Sequence, residues 1–157
     1  MKKILFVCLG NICRSPAAHG VMEKFITDNN LQNKFLVDSS GTNGLHNGQL
    51  PDPRMREHAK KRGYDLTHVS RQIKRKDLEI YDLILVMDDQ NLSDVYDIDE
   101  KKIYRHKIFK IAKFANDAKI TKVPDPYFGG AQGFELVLDI LEQCCKNLLT
   151  ELRNSHE

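Results

Sequence analysis

The chain has 157 residues, of which 41% are hydrophobic and 29% are charged, and its 24 basic and 22 acidic residues leave a net charge of +2. This length fits a single domain over residues 1–157, and the composition argues against disordered, fibrous and membrane-embedded classes of protein. The balanced charge predicts neither a nucleic-acid nor a membrane partner, so any attraction for anions has to be local.

The N-terminal segment predicts a buried strand followed by a helix. Lys3 to Val7 is a mostly apolar run of strand type, and its continuation is too short for the hydrophobic region of a secretory signal. Ser15 resembles an N-cap and Pro16 a first helical residue, so a helix is expected from Pro16. Without an export signal, the four cysteines are expected to be free thiols in the cytoplasm.

Strands and helices are predicted to alternate along the rest of the chain. The expected strands are residues 35–38, 83–87 and 108–114, and the expected helices are residues 54–62, 88–95 and 134–152. This alternation predicts an α/β fold, with a parallel sheet covered by helices on both faces. Ligands bind such folds beyond the carboxyl ends of the strands, which predicts a site at residues 8–15.

Cys8 and Arg14 flank this predicted site, with five residues between them. The segment between a strand and a helix can curl so that its amides face an anion. The helix dipole, the loop amides and Arg14 would favour the nucleophilic thiolate of Cys8, and the Arg14 guanidinium can hold two phosphoryl oxygens at once. Ser15 can donate its hydroxyl to the Cys8 sulfur and ease its departure from a phosphoenzyme. The pattern predicts a phosphate-binding loop between the first strand and the first helix.

The segment Cys8-Leu9-Gly10-Asn11-Ile12-Cys13-Arg14-Ser15-Pro16 resembles the signature of the low molecular weight protein tyrosine phosphatases. The likeness extends to residues 37–41, 68–72, 87–88 and 123–128, and therefore covers nearly the whole chain. It implies a four-stranded parallel sheet and hydrolysis of phosphotyrosine through a Cys8 phosphoenzyme, with neither a metal nor another cofactor. It also implies that the loop residues hold the substrate phosphate, namely Leu9, Gly10, Asn11, Ile12, Cys13 and Ser15.

The same resemblance assigns a second catalytic segment near Asp125. A phenolate leaving group benefits from protonation, which fits Asp125 as the general acid and later the general base. Tyr127 and Phe128 resemble the family's aromatic wall, which can sandwich a phenyl ring and favours phosphotyrosine over shorter phosphoserine.

Two polar residues outside the loop are implied as supports of Asn11, a residue type that tolerates left-handed backbone angles. The family ties this asparagine to residues that match Ser39 and His68. The chain departs from many relatives at residues 42–50, where Leu45 and His46 stand and no aromatic residue occurs. The expected substrate is a phosphotyrosine-containing protein, and the phosphatase is expected to be a monomer. Which phosphoprotein it prefers is left open by this departure.

Two other functions fit parts of the pattern. A thiol-dependent arsenate reductase has a similar anion loop but needs relay cysteines, and none lies between Cys13 and Cys144. A non-catalytic phosphate-binding module would keep the loop but would need neither Cys8 nor Asp125. A zinc site built from the cysteines is disfavoured, because their spacing lacks the usual ligand pattern.

Overall fold

The computed structural model describes residues 1–126 and 130–155, in which strands and helices alternate. The strands are β1 (Lys2–Cys8), β2 (Phe35–Gly41), β3 (Leu83–Val86) and β4 (Ile108–Lys110). The helices are α1 (Arg14–Asp28), α2 (Pro53–Lys61), α3 (Arg75–Ile80), α4 (Asp89–Ile98) and α5 (Ala131–Asn154). Short 3₁₀ turns occupy Arg105–Lys107 and Ile111–Phe114.

The four strands form one parallel sheet in the order β2-β1-β3-β4, which confirms the predicted α/β class and sheet. Strand β1 lies inside the sheet and is buried on both faces, which explains its continuous apolar sequence. Cys8 pairs with Gly41 of β2, and Val7 pairs with Val86 of β3. The carboxyl ends of these three strands therefore meet at one edge of the sheet.

Helices cover both faces, as predicted. Ile4 and Phe6 belong to a core shared with α1, α2 and α5, whereas Leu5 and Val7 belong to a second core shared with α3 and α4. The alternation of β1 side chains between two cores follows from the two-residue period of a strand. The predicted apolar stripe of α5 is buried and packs against α1. Within the described ranges, no helix is both long and apolar enough to cross a membrane.

Three local predictions differ from the structure. Helix α1 begins at Arg14 and not at Pro16, and its N-cap is Cys13 without a side-chain cap bond, so the prediction of Ser15 as N-cap was wrong. The phosphate-binding loop runs directly into the helix, which leaves the Ser15 hydroxyl for Cys8. The predicted strand 108–114 ends at Lys110, because its partner β3 pairs no further than Val86. Helix α3 was not predicted, since only two of its six residues are buried.

Candidate active site

A cavity of about 240 Å³ lies at the carboxyl edge of the sheet. It is lined by residues from the loop after β1, from the loop after β2 and from the segment before α5: Cys8, Leu9, Gly10, Ile12, Cys13, Arg14, Asn43, Leu45, His46 and Asp125. Most of the residues predicted for the site therefore converge on one cavity. We call residues 8–15 the phosphate loop and residues 121–126 the acid loop.

Cys8 ends β1, lines the cavity and is only 3% exposed. Its Sγ lies 3.0 Å from the Ser15 hydroxyl, in the first turn of α1. The Asn11 amide Nδ2 donates to the same hydroxyl oxygen at 2.8 Å. The Ser15 hydrogen is thereby free to point to the Cys8 sulfur or to the carbonyl of Ser40, which lies 3.3 Å away. A hydroxyl donor and a helix N-terminus both stabilise negative charge on this sulfur.

Arg14 is also 3% exposed, and its guanidinium is fixed by two acceptors. Its Nη1 donates to Asp88 Oδ2 at 2.7 Å and to the Val123 carbonyl at 3.1 Å. Asp88 in turn caps α4, because its Oδ1 accepts from the Asn91 amide at 2.8 Å. Asp88 is thus a site residue to which the sequence assigned no role, although the family resemblance includes residues 87–88. Its position just beyond β3, beside β1 in the sheet, was a second signal.

Asn11 organises the phosphate loop from behind and is 1% exposed. Its backbone has a φ of 56°, in the left-handed region. Its Nδ2 donates to Ser15 and, at 3.1 Å, to the Ser39 hydroxyl, while its Oδ1 accepts from the Arg71 amide and from His68 Nε2, both at 3.0 Å. The links to Ser39 and His68 implied by the resemblance are present, and together these bonds hold the loop in a conformation that few residues adopt freely.

Gly41 allows the end of β2 to touch the phosphate loop. A Cβ atom at this position would lie 2.8 Å from the Leu9 carbonyl oxygen and 3.0 Å from the Asn11 amide nitrogen. The atoms nearest to Gly41 belong to the backbone of the phosphate loop. A larger residue at this position would therefore have to displace the loop itself.

Two titratable side chains behind the phosphate loop, Asp38 and His68, have shifted pKa values. Although burial alone would raise it, the Ser39 amide and Arg71 hold the pKa of Asp38 below its usual value. Burial, and then the neighbouring His19, lowers the pKa of His68 although Asp38 opposes this. Asp38 is therefore ionised and His68 neutral near neutral pH.

Asp125 reaches the cavity on the acid loop, far along the chain from Cys8. The loop is anchored where the Val123 amide donates to the Met87 carbonyl at 2.8 Å, next to the end of β3. Asp125 Oδ2 lies 3.9 Å from Arg14 Nη2, and its side chain is 46% exposed. Tyr127 and Phe128, the predicted aromatic wall, lie outside the described residues.

The other cysteines differ from Cys8 in their surroundings. Cys13 lines the cavity, but burial and then the charge of Asp52 raise its thiol pKa far above the ordinary value. Cys144 and Cys145 are buried on α5, where burial raises the pKa of Cys144 to about 11. These three cysteines are therefore protonated thiols, with weak nucleophilicity.

The chain is similar to known phosphatases over nearly its whole length. A family model described as low molecular weight phosphotyrosine protein phosphatase matches residues 3–157. A human protein of that name is 38% identical over 149 residues, with 94% of each chain covered. The corresponding protein of Schizosaccharomyces pombe is 38% identical over 133 residues, covering 84% of this chain and 85% of its own.

Solved structures agree in fold over the full length. A crystal structure of a protein tyrosine phosphatase from Entamoeba histolytica is 45% identical, covers 100% of both chains and superimposes with a TM-score of 0.95. A Drosophila arginine phosphatase is 29% identical, covers 97% of this chain and 98% of its own, and superimposes with a TM-score of 0.90.

Proposed function

The chain belongs to the low molecular weight phosphotyrosine protein phosphatase family, and from this premise we propose that it hydrolyses phosphotyrosine through a Cys8 phosphoenzyme without a metal. The observation that carries the mechanism is that Asp125, which is distant in sequence from Cys8 and Arg14, lines the same cavity as these two residues. Cys8 is the nucleophile, Arg14 holds the phosphoryl group, and Asp125 is the general acid and base.

In the first step the Cys8 thiolate attacks phosphorus. The Sγ–P bond forms as the bond from phosphorus to the phenolic oxygen breaks, and protonated Asp125 gives its proton to that oxygen. Arg14 and the loop amides at Leu9, Gly10, Ile12 and Cys13 bind the remaining phosphoryl oxygens, where charge is spread during transfer. Because Asp88 and the Val123 carbonyl already orient Arg14, little reorganisation is needed when the substrate binds.

In the second step water attacks the phosphocysteine. The Asp125 carboxylate removes a proton from the water, the P–O bond forms, and the Sγ–P bond breaks to return the thiolate and release inorganic phosphate. The Ser15 hydroxyl, 3.0 Å from the sulfur, stabilises the departing thiolate. Asn11, held by Ser39 and His68, keeps Ser15 and the loop amides in place for both steps.

An aryl phosphate is the substrate class that the cavity walls favour. Leu9, Ile12 and Leu45 contribute apolar side chains around its rim, and Tyr127 and Phe128 are proposed to add an aromatic wall. An arginine phosphatase has the same fold, but a guanidinium leaving group calls for wall carboxylates that can pair with its charge. Among the described lining residues, the one carboxylate is that of Asp125, so phosphotyrosine is the better fit.

The test is hydrolysis of p-nitrophenyl phosphate, a phosphotyrosine peptide and a phosphoarginine peptide in EDTA. Cys8→Ser should abolish turnover, while Cys13→Ser, the matched control, should keep most of it. Asp125→Ala should slow the phosphotyrosine peptide by about 10²–10⁴-fold, and the nitrophenyl ester less because its leaving group is better. Turnover that survives in Cys8→Ser would contradict the mechanism, and phosphate binding without any turnover would favour the binding module.

We further infer one catalytic domain over residues 1–157 that acts as a cytoplasmic monomer on phosphoproteins, without a nucleic-acid or membrane partner. The core extends from Ile4 to Leu152, and all four cysteines are free and buried, which suits a reducing compartment. Sedimentation at micromolar concentration should give one species of 18.1 kDa. Cell fractionation that finds the protein outside the cytoplasm would contradict the location.

A further inference from the structure

Three ligand-type side chains meet behind the phosphate loop. A ring nitrogen of His19 on α1, a ring nitrogen of His68 and a carboxylate oxygen of Asp38 on β2 lie within 4.8 Å of one another. None of the three lines the active-site cavity, and His68 contacts the phosphate loop only from behind, through Asn11.

The hydrogen bonds of His68 determine which of its nitrogens has a lone pair. Asn11 Oδ1 accepts from the Arg71 amide, which identifies it as the amide oxygen, so His68 Nε2 has to donate to it. In the neutral ring Nδ1 then has no hydrogen, and it faces Asp38 Oδ1 at 3.4 Å. Two acceptors therefore face each other across a gap that a cation would fill.

His19 is oriented in the same manner. Its Nε2 lies 2.5 Å from the Glu23 carboxylate, which can only accept, so Nε2 donates outward. In the neutral ring, Nδ1 then has the lone pair and lies 3.2 Å from the Ser39 hydroxyl, which accepts from Asn11 and so donates to Nδ1; an ion would replace this bond. An outward N–H bond to a carboxylate or amide oxygen, with the other nitrogen turned inward, is the arrangement that orients histidine ligands of metals.

A route from solvent reaches these histidines. A cavity of about 80 Å³ beside α1 is lined by both histidines together with Glu23 and Asp65. Its volume exceeds that of two water molecules, at about 30 Å³ each, so it can admit an ion with a bound water.

We propose that His19, Asp38 and His68 bind one divalent transition-metal ion of the zinc type, at a site separate from the phosphate cavity. Two imidazoles and one carboxylate suit zinc, and water from the cavity can supply a fourth ligand. Bonds of about 2.0 Å place tetrahedral ligands roughly 3.3 Å apart, so His68 and Asp38 already have a suitable separation. Arg71 binds the other carboxylate oxygen, Oδ2, whereas Oδ1 accepts from the Ser39 backbone amide at 2.8 Å and keeps a second lone pair for the ion.

Occupancy would reach the phosphate loop through His68. An ion on Nδ1 fixes the tautomer whose Nε2 donates to Asn11, and Asn11 holds the Ser15 hydroxyl beside Cys8. The ion is therefore expected to stabilise the folded chain and the loop, while hydrolysis itself proceeds in EDTA.

The test is zinc titration calorimetry on the full chain with Cys8→Ser and Cys13→Ser, which removes competing thiol ligands from the active site. One zinc should bind per chain, and the unfolding midpoint should rise by roughly 5–10 °C at zinc a hundredfold above Kd. His19→Gln in this background should weaken binding at least tenfold, whereas His106→Gln, an exposed histidine on a 3₁₀ turn, should leave it unchanged. Cobalt should give the visible bands of a tetrahedral site without thiolate charge transfer.

Imidazole nitrogen NMR keeps the proposal testable if a variant fails to fold. Zinc should shift Nδ1 of both His19 and His68 in the otherwise unaltered chain. Equal zinc affinity in His19→Gln, binding that depends on the cysteines, or unshifted ring nitrogens at saturating zinc would each overturn the site.

Discussion

The phosphate loop and the acid loop meet in one cavity, but they are held in different ways. Every side chain that fixes the phosphate loop is largely buried, and Asn11 alone makes four hydrogen bonds. The acid loop is anchored chiefly at Val123, and its Asp125 is nearly half exposed. The phosphate loop binds a phosphoryl group that stays charged in both steps, so a rigid loop favours catalysis. Asp125 exchanges protons with the leaving group and with water, so its side chain has to be accessible to both.

The largest effect is expected where the phosphate loop meets the phosphoryl charge. Arg14→Lys should lower kcat/KM by about 10³-fold, because lysine cannot donate in a planar fork and leaves Asp88 poorly matched. The loss should be similar for p-nitrophenyl phosphate and a phosphotyrosine peptide, in contrast to Asp125→Ala. Arg105→Lys, at an exposed 3₁₀ turn, is the control and should be neutral. A strong dependence of the Arg14→Lys loss on the leaving group would contradict this division of roles.

Variants of Asn11 can separate the contribution of its side-chain hydrogen bonds to stability from the cost of its left-handed backbone. Asn11→Ala should destabilise the fold by about 2–4 kcal/mol, since buried partners lose their bonds and alanine disfavours a φ of 56°. Asn11→Gly also loses the hydrogen bonds, but glycine adopts a φ of 56° without strain, so this variant should be about 1 kcal/mol more stable than Asn11→Ala. Urea unfolding measures both variants, and equal stabilities would show that the left-handed backbone costs nothing.

Gly41 tests how closely the phosphate loop is packed. Gly41→Ala should displace the loop from the Leu9 carbonyl and weaken competitive inhibition by inorganic phosphate by about tenfold, equivalent to roughly 1.4 kcal/mol. Gly130→Ala, next to α5, is the matched control, because a Cβ there meets nothing within 4 Å. If phosphate inhibits Gly41→Ala as strongly as the unaltered chain, the phosphate loop can move away from position 41 at little cost in free energy.

Val123 tests the anchor of the acid loop. Its side chain is fully buried, so Val123→Ala should cost about 1–3 kcal/mol in unfolding free energy. The variant should also lose more activity on the phosphotyrosine peptide than on the nitrophenyl ester, because a loosened loop misplaces Asp125. Parallel losses on the two substrates would indicate a general loss of folded protein.

The smallest effect is expected at the cap of α2, where the backbone amide of Asp52 donates to the Ile12 carbonyl of the phosphate loop but its side chain caps the helix. Asp52 accepts from the Arg54 amide at 2.8 Å, and although burial opposes this, hydrogen bonds from Arg54 lower its pKa. Asp52→Ala should cost about 1 kcal/mol at pH 7. A lowered pKa gives stability that is present above the unfolded value and is lost as pH falls through the folded value. The advantage of aspartate over Asp52→Asn should therefore hold above the ordinary aspartate pKa of 3.8 and shrink as the pH falls below it.

Much of the fold followed from local patterns in the sequence. The apolar run of β1, the stripe of α5 and the turn at Cys8 predicted a parallel α/β sheet with a site at its carboxyl edge, and the structure confirms both the sheet and its helical faces. The family that the phosphate-loop signature and its accompanying motifs predicted is confirmed, and so is its hydrolase class. The roles of individual residues stay predictions that the variants above address.

What the sequence did not reveal depends on contacts distant along the chain. Asp88 was not assigned because its partner Arg14 is 74 residues away and only the order of strands brings them together. The sequence also did not reveal that Arg62, just beyond α2, pairs with Glu135, Asp139 and Glu142 of α5. Pairing of this kind has no local signature.

The packing of α1 against α5 has a consequence for protein synthesis. Cys8 leaves the ribosome before Asp88, Val123 and α5, which follow it along the chain. Until they emerge, Asp88 and the Val123 carbonyl cannot orient Arg14, and the face of α1 that packs on α5 is uncovered. A nascent chain is therefore expected to display its reactive thiol without a working phosphate loop, so that catalysis begins only after α5 has emerged.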